Sequence, residues 1–217
     1  MCGNNLSLKP RDALRVYFEN VNGFPNKSFD YNSCKVKKLR HLWSKLETDV
    51  VSLVETQINP SLLHQKDSLH HALFRHKPAS SIHNNNSNEL IGKRQQGGVM
   101  LAIRGQVSKH ATGTGSDPTG LGRWNYIDLT NGDKKVRIIS AYQSVKSVST
   151  LGTVHSQRRR YFITRGINVY PRKLFILHLT QFISMSMLAG LEVILTIDSN
   201  EHVVKGQLAR QLQHLGL

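Results

Sequence analysis

Four polar residues, Asn20, Glu55, Asp198 and Asn200, stand where apolar or β-branched runs give out. The run Asp49-Val50-Val51-Ser52-Leu53-Val54 delivers Glu55, and Val193-Ile194-Leu195-Thr196-Ile197 delivers Asp198, Ser199 and Asn200. An earlier run, Leu14 to Phe18, leads through Glu19 to Asn20. A carboxylate directly after a buried strand is costly to desolvate, so Glu55 is expected to be solvated, paired with a base or bound to metal. Carboxylates with neutral carboxamides, and without paired histidines or cysteines, suit a hard divalent cation such as Mg²⁺ or Mn²⁺ together with a phosphate. In α/β folds such groups collect at strand ends.

Bringing these ends together is the task of the surrounding elements. From Lys35, the residues Val36, Leu39, Leu42, Trp43 and Leu46 recur at helical spacing while Lys37, Lys38, Arg40 and Lys45 take the other face. The opening unit therefore reads strand, helix, strand, with the helix as a crossover between parallel strands. Asn59-Pro60 opens another helix, with Leu62, Leu63, Leu69 and Leu73 as its apolar stripe. Residues 78–96 are rich in Ser, Asn and His and are expected to form a flexible surface loop. Val99 to Ile103, Trp124 to Leu129 and Lys135 to Tyr142 read as an antiparallel meander, with a Gly-rich loop from Thr112 to Gly122 and a hairpin turn at Asn131-Gly132. Pro171 opens a long helix carrying Leu174, Leu177, His178, Phe182 and Met185, and Gly190 stops it before the last strand. A short helix with Leu208, Leu212 and Leu215 follows.

With 217 residues, the chain is long enough for one core, and a single α/β domain over residues 1–217 is expected. Twenty-nine Lys and Arg against 14 Asp and Glu give a formal charge of +15, which points to a polyanionic partner, nucleic acid first and an anionic membrane surface second. The cations expected to meet its phosphates are Lys35, Lys37, Lys38 and Arg40 on the first helix and the triplet Arg158, Arg159 and Arg160. Cys2 and Cys34 are too few for a disulfide framework, and no run is long or apolar enough to span a membrane. The expectation is an intracellular protein, nuclear or cytoplasmic, not secreted and with no membrane partner. Gly113-x-Gly115 lacks the third glycine of a dinucleotide loop, so no dinucleotide cofactor is expected.

In order along the chain, these motifs resemble the endonuclease/exonuclease/phosphatase superfamily, and most nearly the endonuclease domains of non-LTR retrotransposons. Leu14-Arg15-Val16 with Asn20-Val21-Asn22-Gly23-Phe24 is similar to the family's opening strand and Asn-Val-Asn-Gly-Leu motif. Asp49 to Gln57 resembles its Asp-Ile-Ile-x-Leu-Gln-Glu-Thr-Lys motif, Gly97-Gly98-Val99 its paired-glycine strand, and Ala141-Tyr142 its tyrosine-bearing strand. Ile194 to Asn200 resembles the Gly-Asp-Phe-Asn strand, with Ile197 and Ser199 departing from it.

The resemblance implies an incomplete four-layer α/β sandwich of two mixed, largely antiparallel sheets flanked by helices. It implies metal ligation by Glu55 with Asn20, a phosphate contact from Tyr142, a water oriented by Asp198, and Asn200 holding the site or the phosphate. The implied chemistry is Mg²⁺- or Mn²⁺-assisted phosphodiester hydrolysis on DNA. Family members end in further strands with a Ser-Asp-His motif that is absent here, so a truncated, retroelement-derived copy with impaired activity is expected. The alternative is a non-catalytic nucleic-acid-binding remnant.

Overall fold

Alternation along three strands decides the architecture. The computed structural model describes residues 9–10, 12–24, 33–65, 68–75, 77–146 and 152–217. In strand β2 (Val50–Val54), Val51 and Leu53 pack with helix residues Val36, Leu39 and Trp43, while Val50 packs with Leu101, Ile127 and Ile138 of the opposing layer. In β7 (Lys134–Tyr142) and β8 (Glu192–Asp198), Ile138 and Ile194 face the first sheet, whereas Ile139, Leu195 and Ile197 pack under helix residues Phe175, Leu179 and Ile183. Helix, sheet, sheet, helix is the outcome: the four-layer sandwich.

The first sheet has the order β1-β2-β4-β3, with β1 (Val16–Asn20), β3 (Ala79–Asn84) and β4 (Val99–Arg104). Its outer face is covered by α1 (Cys34–Lys45) and α2 (Leu69–Phe74). The second has the order β5-β6-β7-β8, with β5 (Ala111–Ser116) and β6 (Trp124–Asn131), under α4 (Pro171–Leu188) and α5 (Gln207–His214). Helix α3 (Val154–Ile163) lies against the same end as α4. β1 and β2 run parallel through the α1 crossover, β7 and β8 run parallel through α3 and α4, and the remaining pairs are antiparallel. Among the described residues, β1 and β8 are edge strands.

Four expectations change. Val99 to Ile103, read as the first strand of the meander, is β4 and lies between β2 and β3 in the first sheet, and the meander is β5, β6 and β7 of the second. Residues 78–96, read as a flexible loop, contain β3 and then a buried carboxamide network. Asn59 Nδ2 donates to Gln95 Oε1 at 2.8 Å, Gln95 Nε2 to the Asn86 carbonyl at 2.9 Å, and Asn86 Nδ2 to Gln157 Oε1 at 3.0 Å. Asparagines that satisfy backbone and one another can be buried without apolar surface, and composition alone cannot show that. The Gly-rich stretch from Thr112 is also partly strand, β5: its glycines face the β6 side chains, and a Cβ on Gly115 would lie 2.4 Å from the Tyr126 hydroxyl. Pro60–Leu62 forms a single 3₁₀ turn, and the expected helix appears only at α2.

Polar pins cross the apolar gap between the sheets. Ser52 Oγ donates to Ser140 Oγ at 2.6 Å and accepts from Thr196 Oγ1 at 2.8 Å, and Asn125 Nδ2 of β6 donates to the Val99 carbonyl of β4 at 2.7 Å. Ser52→Ala removes the central hydroxyl of the first pin, and denaturant titration is expected to show a loss of about 1–3 kcal/mol. The triple variant Ser52→Ala, Ser140→Ala, Thr196→Val is expected to lose less than the sum of the three single changes, because no polar group is then left unpaired. Strictly additive losses would show that the hydroxyls do not act together.

Candidate active site

Two residues beyond each serine or threonine of the pin, the strands reach the top of the sandwich. β7 ends at Tyr142 and β8 at Asp198, side by side in register, and β1 ends at Asn20 opposite Val54 of β2. Glu55 follows at once. Five residues expected at the site are thus brought to one edge by both sheets, and hydrogen bonds join them. The Tyr142 hydroxyl donates to Glu55 Oε1. Asn20 Nδ2 donates to Asp198 Oδ2 at 2.7 Å, and the Asn200 amide N–H donates to Asp198 Oδ1 at 3.2 Å. Asn200 Nδ2 reaches the Gln143 carbonyl at 2.7 Å, tying the loop after β8 to the end of β7.

The backbone around these groups is bent to fit. Asn22, Glu55, Gln57 and Asn200 all have positive φ, at 45°, 54°, 55° and 48°. Asparagine tolerates that region, but glutamate and glutamine adopt it at a cost of about 1–3 kcal/mol each. Neighbouring loops hold them there: the Glu55 carbonyl accepts from the Gly23 N–H at 2.7 Å, and the Gln57 N–H donates to the Gly97 carbonyl at 2.8 Å. Gly98, at φ 90°, allows this approach, since a Cβ there would lie 2.2 Å from Thr56 Oγ1. Beside it, Thr56 Oγ1 lies 3.0 Å from Nε2 of His83, whose pKa burial pulls down to about 3, so that the ring is neutral.

Tyr142 is buried, and desolvation raises its pKa well above the ordinary phenol value. The hydrogen bond and charge of Glu55 push in the same direction, and Arg158 opposes them. The phenol therefore keeps its proton and acts as a donor. Glu55 is half-buried, with one oxygen taken by Tyr142. Among the described residues, no group of three His, Cys, Asp or Glu side chains forms a metal cage. The donors present suit an ion that keeps several waters and takes one or two carboxylates plus substrate phosphate, which is how Mg²⁺ is commonly held. Asn20 is differently occupied: its Oδ1 accepts from the Asn22 N–H at 2.9 Å while its amide nitrogen points at Asp198.

The basic residues divide. Lys37, Lys38 and Arg159 are exposed. Lys35 is turned inward, its Nζ donating to the carbonyls of Val21 and, at 2.7 Å, Gly23, so that it braces the Asn20 loop. Arg40 is half-buried on α1, and Arg160 is paired with Glu89 at 2.7 Å. Arg158, expected on a phosphate, is instead buried beneath the site: it donates to the Tyr142 carbonyl at 3.0 Å and lies 5.8 Å from the Tyr142 ring. Burial lowers its pKa to about 9, which leaves it charged at neutral pH. The helical period explains the split, because three consecutive residues cannot share one face of α3.

Arg172 escaped the sequence reading. From the first turn of α4 it donates to the Ser144 carbonyl and, at 3.0 Å, to that of Asn200, clamping the loops after β7 and β8. A cation at a helix N-terminus opposes the helix dipole, and that mismatch beside Pro171 was its one available signal.

A scan against family models and a search of curated proteins both find no match to this sequence. Solved structures do match. The chain is similar to the 3′ phosphatase NExo from Neisseria, solved with a product DNA hairpin, at TM-score 0.55 and 14% identity over 94% of this chain and 70% of that one. An endonuclease/exonuclease/phosphatase family protein from Leptotrichia buccalis gives TM-score 0.55 and 12% identity, covering 94% and 75%. The catalytic domain of Xenopus laevis APE2 gives 0.54 and 13%, covering 92% and 67%. At these identities the shared property is the fold, which is that of the endonuclease/exonuclease/phosphatase proteins.

The raised phenol has a measurable consequence. In near-ultraviolet titration from about pH 8 to about pH 11, wild type and Tyr142→Phe are expected to gain the same tyrosinate absorbance. Above pH 10.0, the ordinary phenol value, only the unfolded chain releases this proton, so wild-type stability falls with rising pH more steeply than that of Tyr142→Phe. A smaller absorbance gain in Tyr142→Phe would show that the phenol ionises normally.

Proposed function

We propose that this chain, carrying the endonuclease/exonuclease/phosphatase fold, is a divalent-metal-dependent phosphodiesterase acting on DNA. The observation that carries the reading is the union of Glu55–Tyr142 and Asn20–Asp198–Asn200 at one edge of the sandwich. Glu55 is the residue that would hold Mg²⁺ or Mn²⁺. When bound, the ion supplies Lewis-acid stabilisation of the charge developing on the phosphate.

The protein groups have separable tasks. Tyr142, kept protonated, gives its one O–H to Glu55 in this structure and would turn that same donor to a phosphate oxygen when substrate is bound. Asp198, held on both oxygens by neutral donors, accepts a hydrogen bond from the attacking water and fixes its direction. Asn20 and Asn200 keep that carboxylate oriented, and Arg172 keeps the two loops at fixed separation. Preorganisation of this kind lowers the reorganisation needed as charge develops. The +15 formal charge draws the polyanion in, with Lys37, Lys38 and Arg159 as the exposed members of the expected basic set. A retroelement origin is the reading favoured by the Asn20 to Phe24 and Asp49 to Gln57 motifs.

A second reading, DNA binding without cleavage, is favoured by those exposed cations, which need no intact catalytic group. Nicking of supercoiled plasmid separates the two. Wild type is expected to nick slowly with Mg²⁺, since no Ser-Asp-His motif supplies an acid/base group, and not with chelator, and Glu55→Gln and Asp198→Asn are each expected to lose about 10²-fold or more of that rate. Glu55→Gln should still bind DNA, with affinity falling steeply as salt rises. Salt-dependent binding by wild type with no Mg²⁺-dependent nicking would establish the binding-only reading.

A further inference from the structure

A cavity of about 140 Å³ opens between the Glu55–Tyr142 pair and the first turn of α3. Its walls include Gln96, Ser144, Thr153, Val154 and His155. Two observations give it a chemical preference. The first is the helix end itself: α3 is ten residues long, with Thr153 as its N-cap accepting from the Ser156 N–H. The leading N–H groups of a helix have no intrahelical acceptor and carry partial positive charge, which favours an anion in front of them.

The second observation is independent of the helix. Ser144 and His155, only 1% and 5% exposed, both line the cavity, and among the described residues Ser144 Oγ and His155 Nδ1 have no hydrogen-bond partner. Leaving such buried atoms unpaired is unfavourable, and native proteins rarely do so without a reason. Neither residue is loosely placed. The Ser144 carbonyl is held by Arg172, and the His155 ring packs against Tyr170 with centroids 5.1 Å apart. Burial lowers the His155 pKa, and the charges of Arg158, Arg159 and Arg172 lower it further, so the imidazole is a neutral hydrogen-bonding group in a positive field.

We propose that this cavity is a phosphate subsite for the DNA strand, holding the phosphodiester next to the one at Glu55 and Tyr142 through Ser144, His155 and the α3 N-terminus. The proposal rests on the DNA-cleaving reading above, because it takes the strand to run past Tyr142. It adds what that reading lacks: a contact that sets where along the strand the cut falls. Binding there needs a single negative charge and an accepting oxygen, which a backbone phosphodiester supplies in any sequence context. The subsite therefore fixes register rather than base preference.

The test uses binding alone, so that it does not depend on turnover. Full-length protein carrying Glu55→Gln is titrated without divalent ion against short DNA duplexes, one native and a series with a single uncharged methylphosphonate linkage moved along one strand. Ser144→Ala and His155→Gln, each added to that background, are expected to weaken binding of the native duplex about tenfold. At one linkage position the methylphosphonate is expected to remove that difference, leaving the background protein and the variants equal. Thermal melting is measured alongside. Ser144→Ala deletes a hydroxyl without a partner, so its melting temperature is expected to match the background, whereas a merely structural serine would lower it.

Equal affinity of background and variants for the native duplex would overturn the subsite, as would a deficit that persists at every linkage position, or no DNA binding at all. The cleavage reading stands or falls separately. If plasmid nicking fails while the position-specific loss is found, the subsite stands and the chemistry must be revised. If nicking succeeds and the variants bind normally, the subsite falls alone.

Discussion

The hydroxyl pin of Ser52, Ser140 and Thr196 is the constraint on which the site depends. Apolar sheets facing one another can slide at modest cost, because dispersion and hydrophobic burial are not directional. A hydroxyl donating to a hydroxyl at 2.6 Å cannot slide without leaving a buried polar atom unpaired. The pin therefore fixes β2 against β7 and β8 at one level. Tyr142 and Asp198 stand two residues above it and Glu55 three, so the spacing of these candidate groups is inherited from a bond in the core.

Much of this was legible because strands repeat with period two. The apolar runs at Val50 to Val54 and Val193 to Ile197 mark strands, and the polar residue ending each has to stand at a sheet edge. The crossover through α1 formed as the pattern requires, and the hairpin expected at Asn131-Gly132 formed one residue later, with Gly132-Asp133 as the turn between paired Asn131 and Lys134. What stayed hidden involves partners distant in sequence. The Asn59, Asn86, Gln95 and Gln157 network reads as disorder because each carboxamide looks solvated until its partner arrives from another segment. Arg158 reads as one of three equivalent cations, and only the helix orientation puts it beneath Tyr142. Nothing local to Ser144 or Gln143 distinguishes them from ordinary loop residues.

Burial of cations shapes the electrostatics as much as the formal charge does. Arg123 is fully buried and paired with Asp117 at 2.5 Å and 2.8 Å, and it also lies 4.5 Å from the Trp124 ring. That pairing holds the Asp117 carboxyl below its usual value despite desolvation. Arg158 has no such carboxylate of its own, and its charge is directed at the Tyr142 carbonyl and ring. Part of the +15 is thus spent inside the protein, where salt in the medium screens it little, while Lys37, Lys38 and Arg159 remain in the screened layer. Attraction to a polyanion and alignment of the site draw on different members of the basic set.

The site straddles strands of unequal security. Among the described residues, β2 and β7 each have a neighbour on both sides, whereas β1 and β8 have one. Glu55 and Tyr142 are therefore attached to the best-protected part of the ladder, and Asn20 and Asp198 to the part that frays first, since local opening draws on the elements with fewest partners. Two populations should coexist well below the global melting point: the closed one, and one in which the outer strand tips have separated while the core remains native. In the open form the Glu55–Tyr142 half survives without its Asp198 counterpart. Heat would then uncouple two halves of the candidate site before it unfolds the domain that carries them.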